Sequence, residues 1–188
     1  NMYNVGVGFN AGQQITTGVE NTFVGGLAGD ATDDGQFNVA VGYLSLSANC
    51  GDNNVAVGHR SLTLATGSLN TALGKEAGTA VSTGVENTLV GGLAGNGINT
   101  GSQNICVGYN SGVHAHALTE GVRNVILGAY SHVGGGDVDD ANVLGYLVAG
   151  ASGYTTLGNQ TNDIRAAHGN VTWATVSDER YKKDIVDS

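Results

Sequence analysis

The sequence predicts an all-β fold, an elongated parallel β-roll or β-helix of about ten coils of 16–17 residues, and three observations support it. The stretch TGVENTFVGGLAG at residues 17–29 returns as TGVENTLVGGLAG at residues 83–95, which is 66 residues later. A shorter pattern, G-x-x-N-[VT]-x-[VL]-G-x-x-[AS], recurs along the chain. The composition combines 32 glycines and no proline with 40% apolar residues, which is typical neither of a flexible linker nor of an ordinary globular domain.

The shorter pattern returns every 16–20 residues, so the 66-residue separation of the two long stretches equals four repeats. Its asparagine is found at Asn4, Asn21, Asn38, Asn54, Asn70, Asn87, Asn104, Asn124 and, in a shortened copy, Asn142. Its second glycine is found at Gly8, Gly25, Gly42, Gly58, Gly74, Gly91, Gly108 and Gly128. The small residue that follows is found at Ala11, Ala28, Ser45, Ser61, Ala77, Ala94, Ser111 and Ser131. One unit therefore accounts for residues 1–158, which we interpret as a repeat shaft or head domain.

The length of the unit excludes the helix pairs of helical solenoids, which need about 33 residues. The segment NVAVG alternates, with Val39 and Val41 on one face and Asn38 and Ala40 on the other, as in a short half-buried strand. Coils stacked at about 4.8 Å would pair their backbones. We expect the valines and leucines to form a continuous buried column and the asparagines to form a hydrogen-bonded ladder. The glycine after the strand predicts a backbone conformation with φ > 0.

The thinness of such a coil predicts a multimer. Its inward surface is small, and several repeats carry a second apolar residue after the glycine that needs covering. These residues are Leu27, Leu44, Leu62 and Leu93. Three chains wrapped about one axis would cover them in a closed symmetry, so we expect a homotrimer. A solenoid of single chains is the alternative.

Charge and motifs exclude several classes of function. The net charge is −9, and only four basic residues precede residue 177, so no basic face is available for nucleic acid. No apolar run is long enough to span a membrane. Neither a phosphate-binding loop nor a dinucleotide motif is present, and no cofactor is expected. Cys50 and Cys106 occupy different places in the repeat, so a disulfide between them is not expected.

The periodicity and composition of the sequence change after the repeats. Residues 159–176 form a transition segment without a period, and residues 177–188 read SDERYKKDIVDS, where charge is dense. This string matches the form S-D-x-R-x-K-x-x-I and resembles the opening of the C-terminal intramolecular chaperone of phage endosialidase tailspikes. The resemblance implies a trimeric tail fibre or tailspike, with self-cleavage between Ser177 and Asp178 and Ser177 as the nucleophile. It assigns no other enzymatic activity, and a charged amphipathic tail is the alternative.

The repeats carry a second resemblance. N-V-A-V-G-x-x-S is similar to the S-V-A-I-G-x-x-S repeats of trimeric autotransporter adhesin heads, which form parallel β-rolls. The repeats here are longer than the repeats of those heads. This resemblance implies, as an alternative, the head domain of a trimeric adhesin on a bacterial surface.

Two kinds of side-chain cluster could bind metal. His114 and His116 form an H-x-H pattern in which three pairs could meet on a trimer axis. Acidic loops occur at Asp30, Asp33 and Asp34 and again at Asp137, Asp139 and Asp140. Without a complete ligand pattern, we interpret the histidines as solvated and the acidic loops as turns that cap a repeat, and we predict no metal site.

The function expected from these observations is structural. The chain is interpreted as a trimeric, host-attachment component of a phage tail fibre on the virion, next to other tail or baseplate proteins. Residues 110–122 and 132–141 form the longest loops, and they are the expected site for a host surface glycan or protein receptor, bound weakly by three identical chains.

Overall fold

The computed structural model describes residues 3–113, 117–160 and 162–169, together with the backbone of residues 174–175. Within them the chain contains strands and turns and no helix. The strands are β1 Val5–Val7, β2 Thr22–Val24, β3 Val39–Val41, β4 Val55–Val57, β5 Thr71–Leu73, β6 Thr88–Val90, β7 Ile105–Val107, β8 Val125–Leu127, β9 His132–Val133, β10 Asn142–Tyr146, β11 Ala149–Gly150, β12 Tyr154–Asn159, β13 Asn162–Ala167 and β14 Ala174–Thr175.

One long sheet dominates the fold and confirms the predicted solenoid. Ten strands, β1 to β8, β10 and β12, are parallel neighbours in chain order and enclose about nine turns. We number the coils 1 to 10 by these strands. Nine steps at about 4.8 Å give a rod about 43 Å long. The sheet then changes direction, because β13 pairs antiparallel with β12 and β14 with β13, while β9 and β11 form a second small sheet.

The asparagines form the expected ladder between coils. The Oδ1 atom of each ladder asparagine accepts a hydrogen bond from the backbone N–H at the equivalent position of the next coil, at 2.8–3.1 Å. Each Nδ2 donates to a backbone carbonyl of the next coil at 2.6–3.0 Å. From Asn21 to Asn124 the ladder residues are fully buried. Each side chain therefore satisfies backbone groups that no water reaches.

The strand valines do not form the buried column, and this part of the prediction is wrong. In β3 and β4 the outer valines are half-buried, whereas the central Ala40 and Ala56 are completely buried. The alternation was predicted correctly, but the face was not. The ladder asparagine fixes the inward face, because its hydrogen bonds run between backbone groups inside the coil. Every second residue from it then also points inward.

In coils 2, 3, 4 and 6 the core is filled by size compensation within the coil. Where the central strand residue is large, as at Phe23 in coil 2, the residue four positions after the strand glycine is Gly29. Where the central residue is small, as at Ala40, the corresponding residue is the buried Leu46. Both Gly29 and Leu46 have positive φ, 58° and 50°. The backbone is therefore constant while the two side chains exchange volume, as close packing of an interior requires.

This exchange predicts that two harmful substitutions rescue each other. Phe23→Ala removes a fully buried ring, and we expect it to destabilise the fold by about 3–5 kcal/mol. Gly29→Leu places a Cβ 2.6 Å from the Phe23 ring, so it should also destabilise the fold. The double variant recreates the Ala/Leu arrangement of coil 3 and should be more stable than either single variant. Urea unfolding of all four chains measures the coupling free energy.

The expected recovery is partial, because the Phe23 ring also lies 3.0 Å from the Cβ position of Gly12 in coil 1. Additive losses in the double variant would contradict size compensation. The matched control is Ala40→Phe with Leu46→Gly, which imposes the coil 2 arrangement on coil 3 and should show a coupling of the same sign.

Candidate interaction face

The outer side of the long sheet carries two parallel columns of residues, which we call the aliphatic face. The first column is Val5, Thr22, Val39, Val55, Thr71, Thr88, Ile105 and Val125, followed by the polar Asn142 and Thr155. The repeat predicted Asn142 at the ladder position, but Ala141 occupies it and donates its N–H to the Asn124 Oδ1. The second column is Val7, Val24, Val41, Val57, Leu73, Val90, Val107, Leu127, Leu144 and Leu157. The second column is aliphatic in every coil, more uniformly than the buried central column, which mixes alanine, cysteine and large residues.

The aliphatic face is open to solvent in the single chain. Leu73 and Leu144 are each 50% exposed, and Ile105 and Val107 are also exposed. A face about 43 Å long and two side chains wide covers on the order of 500 Å². An apolar patch of this size is as large as the largest one on a typical monomer, and such patches are often functional. The face is therefore the strongest candidate for a functional surface in the described part of the chain.

Two further columns border the aliphatic face. The leading edge consists of the residues before each ladder position, which all have positive φ: Tyr3, Glu20, Phe37, Asn53, Leu69, Glu86, Gln103, Arg123 and Asp140. The trailing edge consists of the residues after each strand glycine: Phe9, Gly26, Tyr43, His59, Lys75, Gly92, Tyr109, Ala129 and Tyr146. The strands run from the leading edge to the trailing edge, so the two edges lie on opposite sides of the face.

The two edges differ in charge. The leading edge carries Glu20, Glu86 and Asp140, of which Asp140 is paired with Arg123 on the same edge at 2.7 Å. That pair lowers the pKa of the Asp140 carboxyl and raises the pKa of the Arg123 guanidinium through the hydrogen bonds between them. The trailing edge carries no carboxylate, and its one lysine, Lys75, is paired with the adjacent Glu76 at 3.6 Å. The leading edge of the face is thus acidic, and the trailing edge has little net charge.

The trailing edge also carries exposed aromatic rings. Tyr43 stacks on His59 of the next coil with ring centroids 5.8 Å apart. Tyr109 makes an edge-on contact with Tyr130 at 5.4 Å, and Tyr130 makes another with Tyr146 at 6.0 Å. Half of Tyr43 and half of Tyr109 remain exposed. These rings extend the apolar surface beyond the valine columns.

Comparison with known proteins leaves the family open. A scan of family models, a search of curated proteins and a search of solved structures each found no match to this chain. Among the described residues there is no helix with the length and apolar character that crossing a bilayer needs. The assignment of function therefore depends on the geometry of the face and on the motifs in the sequence.

The predicted site residues are placed only in part. Ser177, Asp178, His114 and His116 lie outside the described residues, so self-cleavage and metal binding by the H-x-H pattern stay predictions. The expected receptor loops, residues 110–122 and 132–141, are described except for residues 114–116.

The acidic loops are used in turn contacts. The Asp33 carboxylate accepts a hydrogen bond from the Thr16 hydroxyl of the preceding coil, and the Asp139 carboxylate accepts one from the Val122 N–H at 2.7 Å. In the described ranges no group of three or more His, Cys, Asp or Glu side chains is arranged to hold a metal ion. One Asp30 oxygen is buried without a partner, and burial raises the pKa of that carboxyl.

Both cysteines are free and buried. Cys106 is the central residue of β7, and complete burial raises the pKa of its thiol to about 12. The Cys50 thiol contacts the Thr32 hydroxyl at 3.3 Å, and burial raises its pKa as well. Neither thiol lies on the aliphatic face or at its edges.

A polar cluster of Thr156, Asp163 and Arg165 lies at the C-terminal end of the described coils. Asp163 of β13 lies opposite Gly158 of β12, where a larger residue would collide with the carboxylate. One oxygen of Asp163, the Thr156 hydroxyl and the Arg165 Nε are buried without partners. Burial raises the pKa of the Asp163 carboxyl, and the charge of Arg165 partly opposes that shift. Polar groups at this point end the apolar core of the solenoid.

The aliphatic face could have been found in the sequence. The signal was the difference between the two alternating sets of strand residues. The set that contains the asparagine varies from glycine to phenylalanine at the strand centre, while in coils 1 to 8 the other set is Val, Thr, Ile or Leu. Apolar character alone instead assigns the more apolar set to the interior.

Proposed function

We propose that this chain is a structural and host-attachment component of a phage tail fibre, assembled as a homotrimer in front of a C-terminal assembly chaperone. The observation that supports it best is the aliphatic face, which a single chain leaves open along ten coils. A partner can cover the aliphatic face at every coil only if its own coils have the same spacing. A second copy of this chain has that spacing because its sequence is the same.

The solenoid is suited to the mechanical task of a shaft. From coil 1 to coil 9, each coil is joined to the next by strand pairing and by the asparagine ladder. Turn hydrogen bonds such as Gly29 N–H to Ser45 O at 3.0 Å add to them. Bending the rod would lengthen these bonds on one side of every coil. Three rods packed along their faces would resist bending further.

The chaperone motif and receptor binding belong to the same proposal. Ser177 and Asp178 stand where the motif places the cleaved bond, and cleavage of the intact protein would give a new N-terminus at Asp178 that a Ser177→Ala variant lacks. Receptor contact is assigned to the loops of residues 110–122 and 132–141. Three copies of each loop would bind a host glycan with avidity.

The head of a bacterial trimeric adhesin is the second candidate. The observation in its favour is the repeat N-V-A-V-G-x-x-S, which is now seen to form parallel β-coils. Both candidates need the same trimer. They differ in the segment expected after residue 188 in the intact protein, where a chaperone domain supports the fibre and a coiled-coil stalk with a membrane anchor supports the adhesin.

The trimer is tested by placing a charge on the face. The unchanged chain is expected to sediment with the mass of three chains, and Val41→Glu with the mass of one, because assembly would bury three carboxylates that cost several kcal/mol each. Val41 is half-buried in the single chain and points outward, so the folded coil tolerates the glutamate. Circular dichroism should show the strand content unchanged.

Leu64→Glu is the matched control. Leu64 is 54% exposed and lies in a turn outside the aliphatic face, so its variant should keep the mass of three chains. An unchanged chain that sediments as a monomer at every concentration would refute the trimer. A Val41→Glu chain that still sediments as three would refute the aliphatic face as its interface.

A further inference from the structure

We propose that the copies pack as parallel rods in which the leading edge of one chain contacts the trailing edge of the next. This pairing rests on the proposed homotrimer and specifies its interface. All coils would then run in the same direction about an axis along the rod, and the three aliphatic faces would meet around that axis. The alternative for two such faces is an antiparallel pair, in which leading edge meets leading edge.

Charge agrees with the parallel arrangement. The net negative charge of the leading edge comes from Glu20 and Glu86, because the Asp140 carboxylate is paired with Arg123 at 2.7 Å. Like charges held together at an interface oppose association, so an edge without carboxylates suits these glutamates. In the parallel arrangement the leading edge meets the trailing edge, which carries no carboxylate in coils 1 to 9.

Shape favours it as well. In coils 2 and 6 the leading edge presents the long side chains of Glu20 and Glu86, and the trailing edge of the same coils presents Gly26 and Gly92, which leave room for them. In coil 3 the leading edge presents Phe37 and the trailing edge Tyr43, which are 47% and 50% exposed. In-register parallel chains would bring these two rings together.

The near-identical stretches at residues 17–29 and 83–95 gain a common role in this arrangement. Each stretch contains a glutamate on the leading edge and a glycine on the trailing edge of the same coil. The Glu20 and Gly26 pair in coil 2 lies four coils from the Glu86 and Gly92 pair in coil 6. Two equal contacts about 19 Å apart along the rod would fix the axial register of neighbouring chains. A shift by one coil would place Glu20 against Tyr43 in one direction and against Phe9 in the other.

Cysteine cross-linking in the middle of the rod tests the pairing. Leu69→Cys on the leading edge of coil 5 is combined, in three separate chains, with His59→Cys, Lys75→Cys or Gly92→Cys on the trailing edge of coils 4, 5 and 6. These positions are exposed or, at Gly92, open to a Cβ that meets Tyr109 at an ordinary 3.4 Å. After treatment with a short bismaleimide, denaturing electrophoresis should show the mass of three chains for at least one combination.

The single variants are the controls. Leu69→Cys alone and each trailing-edge cysteine alone should stay at the mass of one chain, because Cys50 and Cys106 are buried. Dimers from Leu69→Cys alone would show the antiparallel pair and overturn the pairing. The pairing would also be overturned if none of the three combinations formed a cross-link while the protein sediments with the mass of three chains. A combination that stops at two linked chains would support the pairing and overturn the trimer of the proposed function.

Discussion

Replacing Gly91 with alanine is expected to destabilise the solenoid by about 3 kcal/mol or more, while the same change at the adjacent Gly92 leaves stability almost unchanged. Gly91 follows β6 with φ 131°, in a region that L-residues rarely adopt. A Cβ there would lie 2.6 Å from the carbonyl oxygen of Gly108 in the next coil. The Gly108 backbone cannot easily move away from this Cβ, because the Gly108 N–H is hydrogen-bonded to the Val90 carbonyl at 2.8 Å.

Gly92 is the matched control because it is the neighbouring glycine, does not have a positive φ, and has room for a Cβ. A Cβ at Gly92 would meet the Tyr109 ring at 3.4 Å, an ordinary contact. Alanine also reduces the conformational entropy of the unfolded chain, which stabilises the folded state by about 0.4–1 kcal/mol. Urea unfolding of both variants gives the comparison, and Gly25→Ala against Gly26→Ala repeats it in coil 2. Equal losses at Gly91 and Gly92 would show that the collision between coils is relieved elsewhere.

The glycine column could be predicted because the constraint is local and recurs. Gly25, Gly42, Gly91 and the other members occupy one position in coils 1 to 9, and each has φ between 128° and 145°. Stacked backbones leave no room for a side chain there, so no coil can vary. The same reasoning explains why the asparagine ladder was predicted correctly from the recurrence of one amide side chain.

The orientation of the strands could not be predicted by apolar pattern alone. Val39 and Val41 are more apolar than Asn38 and Ala40, which suggests burial of the valines in a chain that folds by itself. The interior of a narrow coil accepts the asparagine because its amide is fully hydrogen-bonded there. The valines instead point to a surface on which the single chain has no partner, and a single sequence does not report that partner directly.

The charge difference between the two edges depends on the fold. Glu86 and Lys75 are eleven residues apart in the sequence, and nothing in their spacing shows that they lie on opposite borders of one sheet. Only the strand positions reveal this, since the residue before each ladder position and the residue after each glycine stand at the two ends of a strand.

Replacing Asn70 with alanine is expected to destabilise the fold by about 3–5 kcal/mol, because it leaves two buried backbone groups without partners. The Asn70 Oδ1 accepts from the Asn87 N–H at 3.1 Å, and its Nδ2 donates to the Gly84 carbonyl at 2.9 Å. Both bonds join coil 5 to coil 6 in the middle of the rod. Asn159→Ala, at an exposed asparagine of β12, is the control and should change stability by less than about 0.5 kcal/mol.

The variant Asn70→Asp separates hydrogen bonding from side-chain volume. Aspartate fills the same space and keeps the acceptor for Asn87, but as a carboxylate it cannot donate to Gly84 and would be buried without a counter-charge. Burial would raise its pKa above that of the unfolded chain, so the loss of stability relative to the unchanged protein should shrink as pH falls, because the protonated acid can donate again. Asn70→Ala should show no such recovery. A loss in Asn70→Asp that does not depend on pH would mean that water reaches the ladder, and the interior of the coil would then be wetter than its burial implies.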